Sequence, residues 1–191
     1  HAVIAAIEPH DSIERYTGLG VDVIEGYASL VDPWTVAITH RNGDIRQVTA
    51  RSIVLATGAQ PFVPPLPGIE ECGYVTSDTL WDVFATRDKA PARLVVLGGG
   101  PIGCELAQSF ARLGSQVTQI EMLPRLMIRE DEDVSAFARA ALEADGVKVL
   151  TAHTALRCYR NDLDENTIVV THGGQEQEIP FDDLICAVGR V

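Results

Sequence analysis

Gly98, Gly100 and Gly103 form a G-x-G-x-x-G triplet between an apolar run, Leu94 to Leu97, and a stretch of helical periodicity. Glycines so spaced suit one kind of chemistry. The first permits a tight turn, the second lets backbone approach a pyrophosphate, and the third lets a helix pack closely on the preceding strand. The N–H groups and positive dipole end of that helix attract phosphate. A second β-type run, Gln116 to Ile120, ends on Glu121, where a carboxylate can accept hydrogen bonds from the hydroxyls of an adenosine ribose. The triplet alone is weak evidence. Strand, glycines, helix, strand and terminal acid in succession read as a dinucleotide-binding unit.

The elements that must position these residues follow from the pattern around them. The spacing predicts strand 93–98, helix 101–113, strand 116–121, helix 131–145 and strand 147–151, then a meander and a return strand. Gly114 stops the first helix, and the acidic run Glu130 to Asp133 suits the positive start of the second. That run reads as capping and solvation, since adjacent carboxylates on one helical turn point apart and lack ligand geometry. Ser77 or Asp78 can cap a short helix over 79–84.

The chain also repeats. Gly20–Leu30 (GVDVIEGYASL) parallels Gly146–Leu156 (GVKVLTAHTAL), and Thr35–Gly58 parallels Thr167–Gly189. Each copy reads as a strand, a hairpin and a return strand ending A-x-G, with turns at Asn42-Gly43 and Gly173-Gly174. The expected fold class is therefore α/β: a Rossmann-like dinucleotide-binding domain with a parallel sheet and a three-stranded β-meander, preceded by the C-terminal part of a second, similar domain. The boundaries are residues 1–60 for the partial domain, 61–91 for a linker and short helix, and 92–191 for the complete domain. Pro61, Pro64, Pro65 and Pro67 exclude helix or central strand from the linker. Residues 1–7 read as the end of a helix and 10–17 as a polar connection.

Composition narrows the functional classes. A net charge of −12 argues against nucleic acid, which needs a basic face. The acidic balance suits a soluble cytoplasmic protein, and no apolar run approaches the ~18 residues of a membrane span. The chain begins at His1 rather than Met, so the absence of a leader proves little. Cys72, Cys104, Cys158 and Cys186 are too far apart in sequence for a C-x-x-C or zinc pattern. Cys104 lies where a helix N-terminus can lower a thiol pKa, although a small buried residue is the favoured reading. Cys186, inside LICAV, reads as core. His40, His153 and His172 read as surface or satisfied histidines rather than catalysts.

These motifs, in this order and spacing and over essentially the whole chain, resemble the two-dinucleotide flavoprotein disulfide reductases, which include dihydrolipoamide dehydrogenase and mercuric reductase. SIVLATGAQP (Ser52–Pro61) is similar to the family's FAD-contacting ATG segment, GGGPIGCELAQSFARLG (Gly98–Gly114) to its NAD(P)H fingerprint, and ICAVGR (Ile185–Arg190) to the strand leading to a second FAD contact. The partial domain is then of the FAD type. The resemblance implies a hydride relay from reduced nicotinamide to flavin and on to a disulfide. It places Gly98, Gly99, Gly100, Pro101, Ile102, Gly103, Cys104 and Glu105 in the nicotinamide-cofactor loop and first helical turn, with Glu105 near the carboxamide. Glu121 falls at the ribose, Ala155 and Gly189 at backbone contacts to the same cofactor, and Ala28, Ala56, Thr57 and Gly58 at flavin contacts.

It also implies a homodimer, through a C-terminal domain that these residues do not include. The family's flavin glycine loop, redox cysteine pair and catalytic histidine are likewise absent from this sequence, so the fragment alone is expected to be inactive. Pro101 stands where some members have an aromatic that covers the flavin, so that gating is not carried over. NAD is favoured over NADP because Glu121 repels a 2′-phosphate and Met122, Leu123 and Pro124 supply no cation; Arg125 is the first one within reach. Two alternatives stay open: a related flavoprotein without the disulfide, such as an NADH oxidase or nitrite reductase-like enzyme, and a non-catalytic NADH-sensing module. The latter has no use for the ATG-like segment.

Overall fold

The computed structural model describes residues 2–191, so His1, taken above as part of a helix, lies outside the described residues. The chain divides into two compact units, residues 1–58 and 59–191.

The first unit opens with helix α1 (Ala2–Ile7), a 3-10 turn at Glu8–His10 and helix α2 (Ile13–Gly18). The polar connection expected over 10–17 is thus largely helical. Its nucleus is Ser12, whose hydroxyl accepts the Arg15 N–H at 3.2 Å and caps α2. Strands β1 (Tyr27–Asp32), β2 (Thr35–Thr39) and β3 (Ile45–Thr49) form the expected antiparallel meander. The hairpin turns where Asn42 accepts the Asp44 N–H at 3.1 Å. The flanking strands expected around Val21–Val23 and over 52–56 do not form. A strand needs a neighbour for its N–H and C=O groups, and the described residues of this unit offer those segments none. Among the described residues of this unit, Ile38 is the one buried large apolar side chain, while Trp34, Ile45 and Val54 stay exposed.

The second unit has the corresponding partners. Helix α3 (Ile69–Cys72), strand β4 (Val75–Thr76) and helix α4 (Leu80–Ala85) precede β5 (Arg93–Leu97), α5 (Pro101–Arg112), β6 (Gln116–Glu121), α6 (Glu132–Ala144) and β7 (Lys148–Thr151). The meander β8 (Thr154–Arg160), β9 (Asn166–His172) and β10 (Gln175–Phe181) follows, then the return strand β11 (Asp183–Cys186). The parallel sheet runs β4-β11-β5-β6-β7, so the return strand is inserted beside β5. Residues 59–91 belong to this unit. Their prolines keep most of the segment out of regular structure, but β4 adds the sheet's edge and the backbone at Gln60 and Phe62 pairs with residues 189–191.

Period-two alternation divides the core into two layers. Val95 and Leu97 of β5 and Leu184 and Cys186 of β11 face the meander, packing with Cys158, Ile168 and Phe181. Leu94 and Val96 of β5 and Ile185 of β11 face the helices, packing with Ala107, Phe110 and Leu142. Helix α4 joins that layer through Leu80, 1% exposed, and an edge-to-face contact of Phe84 on Phe110 at 5.2 Å.

Arg93, at the start of β5, ties the sheet to the meander. Its guanidinium donates to Asp182 at 2.7 Å and to Glu165 at 2.7 Å, and these bonds hold both carboxyls below their ordinary range. Carboxyls depressed in the folded state contribute stability above their unfolded pKa, and that contribution is lost as pH falls through the folded value. Arg93→Gln is therefore expected to lower the urea midpoint at neutral pH and to flatten its decline below about pH 4.5, the ordinary carboxyl range. Parallel declines for both proteins would refute this role of the cluster.

Candidate functional site

A cleft of about 870 Å³ lies at the C-terminal ends of the parallel strands in the second unit, bounded by the glycine loop, the end of β6 and the segment after β11. In a doubly wound sheet this is where ligands collect, because the loops leaving the strands diverge there.

Crowding behind the cleft shapes the glycine loop. Gly98 has φ +117°, and a Cβ on it would lie 2.3 Å from the Ala187 carbonyl oxygen; its N–H donates to the Ile120 carbonyl at 2.8 Å. A Cβ on Gly103 would lie 2.3 Å from the Gly98 carbonyl oxygen, so α5 rests directly on the turn. Gly100 is the opposite case, with open space where its Cβ would stand. Helix α5 starts there with Pro101 in its first turn and no side-chain cap. The loop therefore presents bare backbone to the cleft and, beyond it, an uncapped helix end suited to an anion.

Two side chains hold the loop. Gln119 of β6, fully buried, donates from Nε2 to the Gly98 carbonyl at 3.0 Å. Glu121 accepts the Gly99 N–H at 2.6 Å through Oε2 and the Leu123 N–H at 2.7 Å through Oε1. A carboxylate offers about four lone-pair sites, so capacity remains for ribose hydroxyls. The loop after β6 folds back over this point. The Met127 N–H donates to the Gly99 carbonyl at 2.7 Å, and Ser135 Oγ donates to the Leu126 carbonyl at 2.7 Å. Arg125, the cation within reach of the ribose end in sequence, spends its guanidinium on the carbonyls of Glu130 at 2.7 Å, Ile128 at 3.0 Å and Met127 at 3.4 Å.

The structure gathers most of the expected nicotinamide-cofactor residues: Gly98, Gly99, Gly100, Pro101, Ile102, Glu121, Ala155 and Gly189 all line the cleft. Gly103 sits behind it as the packing contact. Cys104 does not reach it. Its side chain is buried in the helix-side core, its thiol donates to the Gly99 carbonyl at 3.6 Å, and burial pushes its pKa up despite the nearby helix start. Glu105 is exposed on α5 outside the cleft lining. In the first unit, Ala28 lies on β1 opposite Ile38, while Ala56, Thr57 and Gly58 lie in exposed, irregular chain after β3.

Two lining residues make contacts that nothing in the sequence marks. His153 borders the cleft and stacks on His172, with ring centroids 4.6 Å apart and each Nδ1 on a backbone carbonyl. Arg190 forms the far wall, donating to Asp78 Oδ1 at 2.9 Å, to Ser77 Oγ at 3.1 Å and to the Ala59 carbonyl; the Asp78 carboxyl is lowered by that guanidinium. Gln119 lies behind the lining rather than in it, and its trace in the sequence is an amide two residues after Val117 on the helix-facing side of an apolar strand.

The pattern of the family described as pyridine nucleotide-disulphide oxidoreductase matches residues 4–191. The chain is 34% identical over 180 residues to a mercuric reductase of Staphylococcus aureus, covering 94% of this chain and 30% of that protein. It is 37% identical over 172 residues to the dihydrolipoyl dehydrogenase of Bacillus subtilis strain 168, covering 89% of this chain and 35% of that protein. Among solved structures it superposes on the HOCl-induced flavoprotein disulfide reductase RclA from Escherichia coli with TM-score 0.70 and 29% identity, over 93% of this chain and 39% of that one. The chain thus spans about a third of the length of the curated relatives it matches.

The two glycine environments predict opposite behaviour. Gly103→Ala forces a Cβ against the Gly98 carbonyl and is expected to destabilise the fold by about 1–3 kcal/mol, as overpacking does. Gly100→Ala enters open space and should cost about 1 kcal/mol or less, the scale of a poorer N-cap. Thermal and urea unfolding of both variants checks this; equal losses would show that the loop is not held from behind.

Proposed function

From the premise that the chain belongs to the pyridine nucleotide-disulphide oxidoreductase family, we propose that residues 92–191, with the segment 59–91 built onto them, are the NAD(H)-binding portion of an FAD-dependent enzyme. The carrying observation is the glycine loop itself: crowded on its inner side, open at Gly100, and followed by an uncapped helix. Those features fit a pyrophosphate, which needs backbone donors and no intervening side chain. Glu121 fits the adenosine ribose, Ala155 and Gly189 supply wall contacts, and Pro101 and Ile102 border the path along the cleft.

For FAD the residues fit more narrowly. Ala56, Thr57 and Gly58 have small side chains and lie exposed, which suits backbone contact with a flavin dinucleotide, and Ala28 would join them from β1. When bound, the nicotinamide would supply a hydride and the flavin would carry its electron pair toward a disulfide, with the glycine loop and Glu121 holding the first and Ala28, Ala56, Thr57 and Gly58 the second. In this reading the chain's own residues bind and orient: α5 and the glycine loop hold phosphate, and Gln119 keeps the loop in shape. The buried Cys104, with its raised pKa, takes no part in the redox chemistry. The whole protein would act on a disulfide, or on a substrate reduced through one, as an oxidoreductase of the lipoamide dehydrogenase or mercuric reductase kind.

NADH is the favoured donor because Glu121 accepts hydrogen bonds from a free 2′-hydroxyl and repels a 2′-phosphate. Calorimetry on the chain should show NADH binding more tightly than NADPH, by about tenfold, the worth of one charge-assisted contact. Glu121→Gln should narrow that gap while leaving both dinucleotides able to bind. Equal or reversed affinities for the unaltered chain would overturn the NADH assignment.

A further inference from the structure

Residues 59–191 contain nine arginines, and eight of them are committed. Seven are ion-paired to carboxylates, and Arg125 is bonded to backbone carbonyls. Arg129 alone makes no ion pair and no side-chain hydrogen bond among the described residues. It is exposed, and it lines the cleft. The other arginine on the cleft wall, Arg190, is already neutralised by Asp78 at 2.9 Å. In a chain of net charge −12, whose cleft also carries Glu121 and Glu130, Arg129 is the wall's one uncommitted cation among the described residues.

Its backbone is also fixed. Arg125 bonds to the carbonyls on both sides of it, those of Ile128 and Glu130, and Met127, two residues earlier, is hydrogen-bonded to the glycine loop. Leu126, at 1% exposure, anchors the same loop in the core. A loop hydrogen-bonded to the glycine turn, carrying an unpaired guanidinium on the wall of the same cleft, suits anion capture. The planar fork of N–H donors matches two oxygens of one phosphate, so less side-chain entropy is lost per hydrogen bond formed than for a lysine.

We propose that Arg129 engages a phosphate group of the dinucleotide in this cleft, an inference that rests on the dinucleotide reading above. Two phosphates offer that chemistry: the pyrophosphate common to NADH and NADPH, and the 2′-phosphate of NADPH alone. In the first case Arg129 adds to affinity for both coenzymes. In the second it offsets the repulsion from Glu121 and sets how strongly NADPH is disfavoured.

The test is calorimetric titration of NADH and NADPH into the whole chain, its Arg129→Gln variant and its Arg129→Lys variant, at low and moderate salt. Thermal unfolding confirms that each variant keeps its fold. Arg129→Gln is expected to weaken binding about tenfold, the loss of a charge-assisted contact. Equal weakening of both coenzymes assigns the pyrophosphate, and weakening confined to NADPH assigns the 2′-phosphate. Arg129→Lys should retain part of the affinity, and Arg129→Gln should reduce the salt dependence of the affected coenzyme. Affinities within about twofold of the unaltered chain for both coenzymes would overturn the role of Arg129. Failure of the unaltered chain to bind either dinucleotide would instead remove the dinucleotide reading, and Arg129's role with it.

Discussion

The second unit depends on one close approach: helix α5 lies so near the turn after β5 that no side chain fits at Gly103 against the Gly98 carbonyl. The turn is tight because Gly98 takes a left-handed φ that an L side chain resists. The two constraints are coupled. The turn directs its carbonyl toward the helix, and the helix can start there only because Gly103 has no Cβ. What results is an uncapped helix start facing a cleft. In the function proposed, the anion site is built from backbone geometry before any charged side chain contributes.

Around that contact the chain adds hydrogen bonds that reward the same geometry. Gln119 donates to the Gly98 carbonyl from a fully buried position in β6, where leaving its N–H donors unbonded would be costly. Glu121 and Met127 bond the Gly99 N–H and carbonyl from the next turn. Strand, loop and helix therefore form one cooperative cluster. Arg129 stands outside it, carried by the rigid loop but bonded to nothing within it.

Much of this was legible in the sequence because it follows from backbone. The β5–α5–β6–α6–β7 run, the meander β8–β10 and the return strand β11 lie close to where periodicity and glycine placement put them. The hairpins also turn where Asn42-Gly43 and Gly173-Gly174 mark them. What escaped depends on partners distant in the chain. A two-residue edge strand such as β4 has no periodicity of its own and exists only because β11 lies beside it. The proline-rich segment reads as linker locally, yet Gln60 and Phe62 find backbone partners at residues 189–191. The repeat fails in the opposite sense. Its apolar strands in the first unit are legible in residues 20–25 and 52–56, but without neighbouring strands they stay irregular. At the site, glycines and Glu121 announce themselves by type and spacing. The commitment of Arg125 and the freedom of Arg129 are visible only once the loop is folded.

In the function proposed, the cleft takes a dinucleotide on the bare backbone of the glycine loop and the start of α5. Backbone amide chemical shifts followed during a titration with NADH test it most directly. Saturable shifts concentrated at Gly100, Ile102 and Gly103 are expected, with smaller ones at Leu123 beside the Glu121 carboxylate. Saturable shifts that leave these amides unmoved, or no shifts at all, would contradict it.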